Sequence, residues 1–186
     1  CIRIASSLVK SGIGLGDTVA VLAFNTPEMF ESHFAVPMTG AVLNTINTRL
    51  DGDTVAYILE FGKAKALIVD RELFPLAEKA LAQIELKPVL ILIDDETAEV
   101  KPSVDQDVMD YEELVNSGDP DFSCPQLEDE WQALALNFTS GTTGRPKGVV
   151  YHHRGAYLMS MGTVAGWELP RHPRYLYCVP MFHCNG

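Results

Sequence analysis

No apolar run in this chain approaches the roughly 18 residues that a membrane-crossing helix needs, and its opening residues lack the basic-then-apolar order of a secretory signal. Nor is there a dense stripe of lysine and arginine. With 14 basic against 25 acidic residues, nucleic acid is not an expected partner. The four cysteines (Cys1, Cys124, Cys178, Cys184) include no Cys-x2-Cys pair and no regular framework. A disulfide scaffold is therefore not expected. A zinc site drawn from Cys178, Cys184, His152, His153 and His183 matches no familiar ligand spacing. A reducing compartment, the cytoplasm, fits best.

The 186 residues are 47% hydrophobic, enough for one compact domain with a sizeable core. The chain starts at Cys1, without methionine and inside an amphipathic pattern (Ile2, Ala5, Leu8, Val9), and stops at Gly186 just after a motif. We expect a fragment of a longer protein. Acidity is concentrated: 14 of the 25 acids lie between Asp94 and Glu130, against the single base Lys101. The plain reading is a solvated surface excursion; a cation site or docking face is the alternative.

Along the chain, short strands apolar on both faces alternate with amphipathic helices. Strands are expected over residues 18–24, 41–47, 66–69, 89–93 and 175–179. Thr26 is placed to cap a helix with Pro27 at its first position and with Met29, Phe30, His33, Phe34 and Met38 as its apolar stripe. On that stripe His33 reads as a core or rim histidine. Asp53 is placed to cap the next helix, which ends at Gly62, and a further helix carries Leu73 to Ile84. A helix is expected over residues 111–116, and one following Arg154 is apolar nearly all round, hence expected buried. The pattern predicts an α/β fold with a mainly parallel sheet flanked by helices. Gly12, Gly14 and Gly16 do not make a dinucleotide fingerprint, because they precede a strand instead of following one.

One stretch is poor core material. Residues 139–148 read Thr-Ser-Gly-Thr-Thr-Gly-Arg-Pro-Lys-Gly, between an apolar run and the β-branched Val149-Val150. Gly141 and Gly144 let backbone N–H groups approach a ligand; Thr139, Ser140, Thr142 and Thr143 add hydroxyls and Lys147 a charge, the donors that hold phosphate. A solvated hairpin loop is the bland alternative. The Walker pattern is excluded, since Pro146 and Gly148 stand where it needs glycine and a hydroxyl.

These ten residues resemble the phosphate-loop signature of the adenylate-forming enzymes, which include acyl-CoA synthetases, aryl-CoA ligases, luciferases and peptide-synthetase adenylation domains. Residues 16–21, Asn25-Thr26-Pro27-Glu28, residues 41–47 and Pro180-Met181-Phe182-His183 resemble further parts of that family, so the likeness spans nearly the whole chain. It implies that residues 1–186 are part of one AMP-binding N-terminal domain, with the C-terminal domain absent. It also implies an acid–thiol ligase that uses ATP, Mg2+ and CoA to activate a carboxylic acid through an acyl-adenylate. Residues 139–144 and Lys147 would hold the β- and γ-phosphates, with Thr139 also a magnesium contact, and His183 would act by the carboxylate. His153 aligns with a family histidine that opens the following helix, and a structural role is expected for it. Gly155 stands where asparagine is frequent in the family. The wording around it is similar to members acting on short, medium or unusual acids such as methylmercaptopropionate. An aryl-CoA ligase, an adenylation domain, a γ-phosphoryl transferase and a non-catalytic nucleotide-binding module stay open, as does an oligomer.

Overall fold

Strand β1 (Thr18–Leu22) buries all five of its residues, because it has a strand on each edge and helices over each face. Successive side chains point to opposite faces. Val19 and Val21 join Ile4 and Leu8 of α1 (Ile2–Lys10) and Met29 of α2 (Pro27–Ala35) in one core. Ala20 and Leu22 join Val55, Ile58 and Leu59 of α3 (Gly52–Phe61) and Ala77 of α4 (Phe74–Leu81) in the other. Each fully buried Leu or Ile in these layers contributes about 1.5–3 kcal/mol.

The computed structural model describes residues 1–95, 97–104, 108–139 and 144–185. Its other strands are β2 (Val42–Thr45), β3 (Ala64–Asp70), β4 (Val89–Ile93), β5 (Met109–Asp110), β6 (Ala133–Thr139) and β7 (Lys147–His152). They form one sheet in the order β5-β4-β3-β1-β2-β6-β7, parallel throughout except for the antiparallel β6–β7 hairpin. The α/β reading with a mainly parallel sheet and flanking helices is borne out. β2 and β6 are neighbours, yet the chain leaves β2 toward β3 and β6 toward β7, in opposite directions across the sheet. Such a divergence opens a crevice at the carboxyl edge, where open α/β sheets bind ligands.

Local expectations fare unevenly. Thr26 caps α2, its hydroxyl accepting from the Met29 amide, with Pro27 opening the helix. The stripe on α2 is set differently: Met29, Ser32 and Ala35 are buried, whereas Phe30 and Phe34 are about half exposed and meet edge to face at 5.2 Å. The cap of α3 is Asp51, whose carboxylate accepts from the Thr54 amide at 2.8 Å; Asp53 lies in the first turn instead.

The acidic stretch is more than a solvated excursion. It supplies the edge strand β5 and then α5 (Tyr111–Ser117), capped by Asp110, which buries Tyr111 and Leu114 against α1. Ser7 donates to the Leu114 carbonyl at 2.7 Å and Lys10 to that of Ser117 at 2.8 Å. Tyr111 donates to Glu31 of α2 at 2.9 Å, and burial pushes its phenol well up. Gly118, ending α5, lies so close to α1 that an added Cβ would stand 2.0 Å from the Arg3 carbonyl oxygen.

Asp70 closes β3 and is buried; its carboxylate accepts from the Glu72 amide at 2.9 Å. Burial, followed by the charges of Glu72, Asp95 and Glu28, raises its pKa against that hydrogen bond. A carboxyl with a folded-state pKa above its unfolded value contributes most stability below the unfolded pKa, about 3.9, and loses it as pH rises through the folded one. Asp70→Asn keeps an acceptor for Glu72 and is expected to stabilise increasingly as pH rises from 4 toward neutrality. Urea midpoints measured across that range check this, and a wild-type-to-variant difference independent of pH would sink it.

Two expectations near the end of the chain are corrected. Helix α6 (His153–Gly166) has no buried residue among those described; Tyr157 is 66% and Met159 72% exposed. It rests on the hairpin and, through His153 and Arg154, on Glu130 and Gln132 just before β6, and nothing among the described residues covers its outer face. Residues 175–179 form no strand, and Leu176 is 84% exposed.

Candidate active site

At the crevice between β2 and β6 lies a cavity of about 250 Å3. Thr45 and Ile46 come from the end of β2, Asn137 and Thr139 from the end of β6, and Phe182 and His183 from the segment that follows α6. The structure thus brings together Thr139 and His183, two predicted site residues 44 positions apart in sequence. No motif that contains one contains the other.

The stretch expected to hold phosphate runs between β6, which ends at Thr139, and β7, which starts at Lys147, so it lies between two strands as expected. Thr139 pairs with Lys147 in the antiparallel register, and its hydroxyl donates to the Lys147 carbonyl at 3.5 Å, a long bond. Lys147 is exposed at the start of β7, and Gly144 is exposed on the returning limb. Ser140, Gly141, Thr142 and Thr143 lie outside the described residues. The loop's base rests on aromatics: the Arg145 guanidinium sits 5.3 Å from the centre of the Tyr57 ring, and Tyr57 and Phe61 of α3 meet Phe138 edge-on at 6.3 and 6.1 Å. A cation over a ring holds by the ring's quadrupole, roughly 0.5–1 kcal/mol where exposed.

The far wall is polar. The Tyr151 phenol faces the cavity, and burial together with the adjacent Cys184 thiol pushes its pKa up, so it stays a neutral hydroxyl. His183 is followed by two residues of positive φ, Cys184 (54°) and Asn185 (60°). Such backbone is uncommon outside glycine and clusters at functional sites.

Three further histidines lie on helices or at their ends. His152 caps α6, Nδ1 accepting from the Gly155 amide at 2.9 Å, and stacks on Trp131. His153 opens the helix half-buried, and burial lowers its pKa. His33 is a rim histidine on α2, with Nδ1 2.7 Å from the Met29 carbonyl oxygen and Nε2 3.3 Å from that of Met181.

For magnesium the donor set is thin. No group of three or more His, Cys, Asp or Glu among the described residues could hold a metal ion. Thr139 offers one neutral oxygen, which suits an ion bound chiefly by a substrate's phosphates. All four cysteines are free and exposed. No helix is long and apolar enough to cross a membrane among the described residues. Sequence reasoning missed Tyr57, Thr45, Asn137 and Tyr151; the first sits on a helix face and the others inside strands, with no local pattern to mark them.

Comparison with known proteins agrees with this fold. The chain is 45% identical over 196 residues to an acetate–CoA ligase of Humulus lupulus and 48% identical over 200 residues to a peroxisomal trans-cinnamate:CoA ligase of Petunia hybrida. All of the chain is covered in both cases, but only 34% and 35% of the relatives, so it spans about a third of their length. An anthranilate CoA ligase solved with anthranoyl-AMP superposes with a TM-score of 0.76 at 25% identity, over 86% of this chain and 29% of that one. A long-chain-fatty-acid-CoA ligase from Archaeoglobus fulgidus shares the fold with a TM-score of 0.79 at 24% identity, over 98% of this chain and 34% of that one. The profile of one family, described as AMP-binding enzyme, matches residues 1–186 from end to end, and the chain belongs to that family.

Proposed function

We propose that the complete protein is an AMP-forming acid–CoA ligase and that this chain is part of its N-terminal domain. One observation carries the reading: the end of the phosphate loop and His183 share one cavity at the carboxyl edge of the sheet. Names of relatives point the same way, being ligases of acetate, butyrate, trans-cinnamate and benzoate. In the proposed reaction a carboxylate oxygen attacks the α-phosphorus of ATP, pyrophosphate leaves, and the thiol of CoA displaces AMP from the acyl-adenylate.

The residues divide that work. Lys147 and the loop donors, Thr139 with Ser140, Gly141, Thr142, Thr143 and Gly144, bind the β- and γ-phosphates and follow the charge that grows on the leaving pyrophosphate. Thr139 would be this chain's contact to magnesium, which would supply further neutralisation of the phosphates when bound with ATP. His183 orients the attacking carboxylate beside the α-phosphate, where a donor can follow the charge that passes to the phosphate oxygens. Ile46, Leu50 and Phe138 give the same cavity an apolar wall for a small acyl group. A short- or medium-chain acid, a sulfur-containing one such as methylmercaptopropionate, or an aryl acid fits that chemistry. The four exposed thiols suit a reducing cytoplasm. Several relatives are named peroxisomal, so fractionation of the tagged full-length protein must separate these two compartments.

Labelled pyrophosphate is the test. The complete protein should exchange it into ATP when a suitable acid is present and CoA absent, across a panel of acetate, butyrate, benzoate, cinnamate and methylmercaptopropionate. Acid-dependent ADP formation without exchange would assign γ-phosphoryl transfer instead. Nucleotide binding with neither product would leave a binding module.

A further inference from the structure

His183 belongs to a stretch without regular secondary structure, yet that stretch is held at every turn. Asn25, just past β1, acts as a short piece of strand: its Nδ2 donates to the Val179 carbonyl at 3.0 Å, and its Oδ1 accepts from the Met181 amide at 2.8 Å. Thr45, at the end of β2, has its hydroxyl 3.0 Å from the Phe182 carbonyl oxygen and 2.9 Å from Asn185 Oδ1, with Asn137 Oδ1 3.2 Å away. Its one proton serves one of these oxygens at a time, and an amide turned over can donate back to it. The His183 amide closes a turn onto the Pro180 carbonyl at 3.0 Å. His33 reaches the Met181 carbonyl oxygen from α2, but it also faces the Met29 carbonyl, and a neutral ring has one N–H to give.

We propose that Asn25 and Thr45 are positioning residues, a two-point clamp that fixes His183 against the cavity by gripping the backbone before it and, through Thr45, the Asn185 side chain after it. This rests on the ligase reading above. Peptide groups of the segment would otherwise be satisfied only by water, and a sheet ladder is unavailable because residues 179–185 pair with no strand. Asn25 substitutes one side-chain amide for a strand neighbour, satisfying a donor and an acceptor two residues apart as a ladder does. Thr45 borders the cavity itself, whereas Asn25 is exposed and is not part of its lining, so Asn25 can act on the reaction only through the segment.

Asn25→Ala in the complete protein provides the test, alone and combined with His183→Ala. A loosened His183 should lower the turnover of pyrophosphate exchange about 10–100-fold, the cost of roughly an ångström of misplacement. KM for ATP should move by less than about threefold, because the phosphate donors are untouched. In the His183→Ala background the same change should add nothing. Asn25→Asp keeps the acceptor for Met181, loses the donor to Val179, and should fall between wild type and Asn25→Ala. An undiminished effect of Asn25→Ala without His183, or a rise in KM at unchanged turnover, would overturn the clamp. Hydrogen exchange of the Met181 amide reads the clamp without catalysis. It should quicken in Asn25→Ala, and unchanged protection overturns the proposal. Absence of exchange activity in the wild type would count against the ligase reading alone.

Discussion

His183→Ala in the complete protein is expected to slow acid-dependent pyrophosphate exchange by about 10²–10³-fold, the effect of deleting one preorganised donor at a reacting centre. ATP affinity should hold within about threefold, since the proposed phosphate donors, Thr139 to Lys147, are untouched in this variant. Exchange rates and nucleotide binding measured on the same preparation separate the two. Normal exchange would remove His183 from the chemistry. A parallel fall in ATP affinity would move the residue from the acid to the nucleotide. Thr45 and Tyr151 remain in place in this variant, so the cavity keeps its polar wall and the loss reports on the imidazole.

Gly118→Ala should destabilise the domain by about 3 kcal/mol, at the upper end of what overpacking costs. The obstacle is backbone: the new methyl would meet the Arg3 carbonyl at 2.0 Å, and no rotamer change relieves it. Either α5 or α1 must retreat, breaking the Ser7–Leu114 and Lys10–Ser117 bonds and opening the layer that holds Ile4, Leu8 and Tyr111. Amide exchange along α1 and α5, together with the urea midpoint, measures the effect. Wild-type protection in both helices would show that this corner yields without cost.

What could be read in advance divides along physical lines. Periodicity marked β1, β3, β4 and α4 because both faces of the sheet are covered within this chain. The phosphate loop was legible because glycines and hydroxyls at that density have no packing use. Burial of α6 was misread for a complementary reason: apolar residues all round a helix predict a covered helix, and no described residue covers its outer face. Residues 175–179 carry strand-forming side chains, but no described strand pairs with them, so propensity found nothing to satisfy. Asn25 and Thr45 lie in stretches that resemble the family, but the resemblance gives neither a role, since an exposed turn asparagine and a strand threonine acquire one only when residues some 140–155 positions later fold back on them.

The union of α1 with α5 sets a schedule for the nascent chain. Ser7 waits for Leu114, 107 residues later. At ribosomal speeds of about 5–20 residues per second, that interval is on the order of 5–20 s, before the further delay of clearing the exit tunnel. During it the first helix has strands on which to lie but lacks the cap that closes its layer. The edge of its layer that Tyr111 and Leu114 later cover is expected to stay open for that interval. Synonymous codons that slow translation between β4 and α5 should lengthen it, lowering soluble yield without altering a single residue.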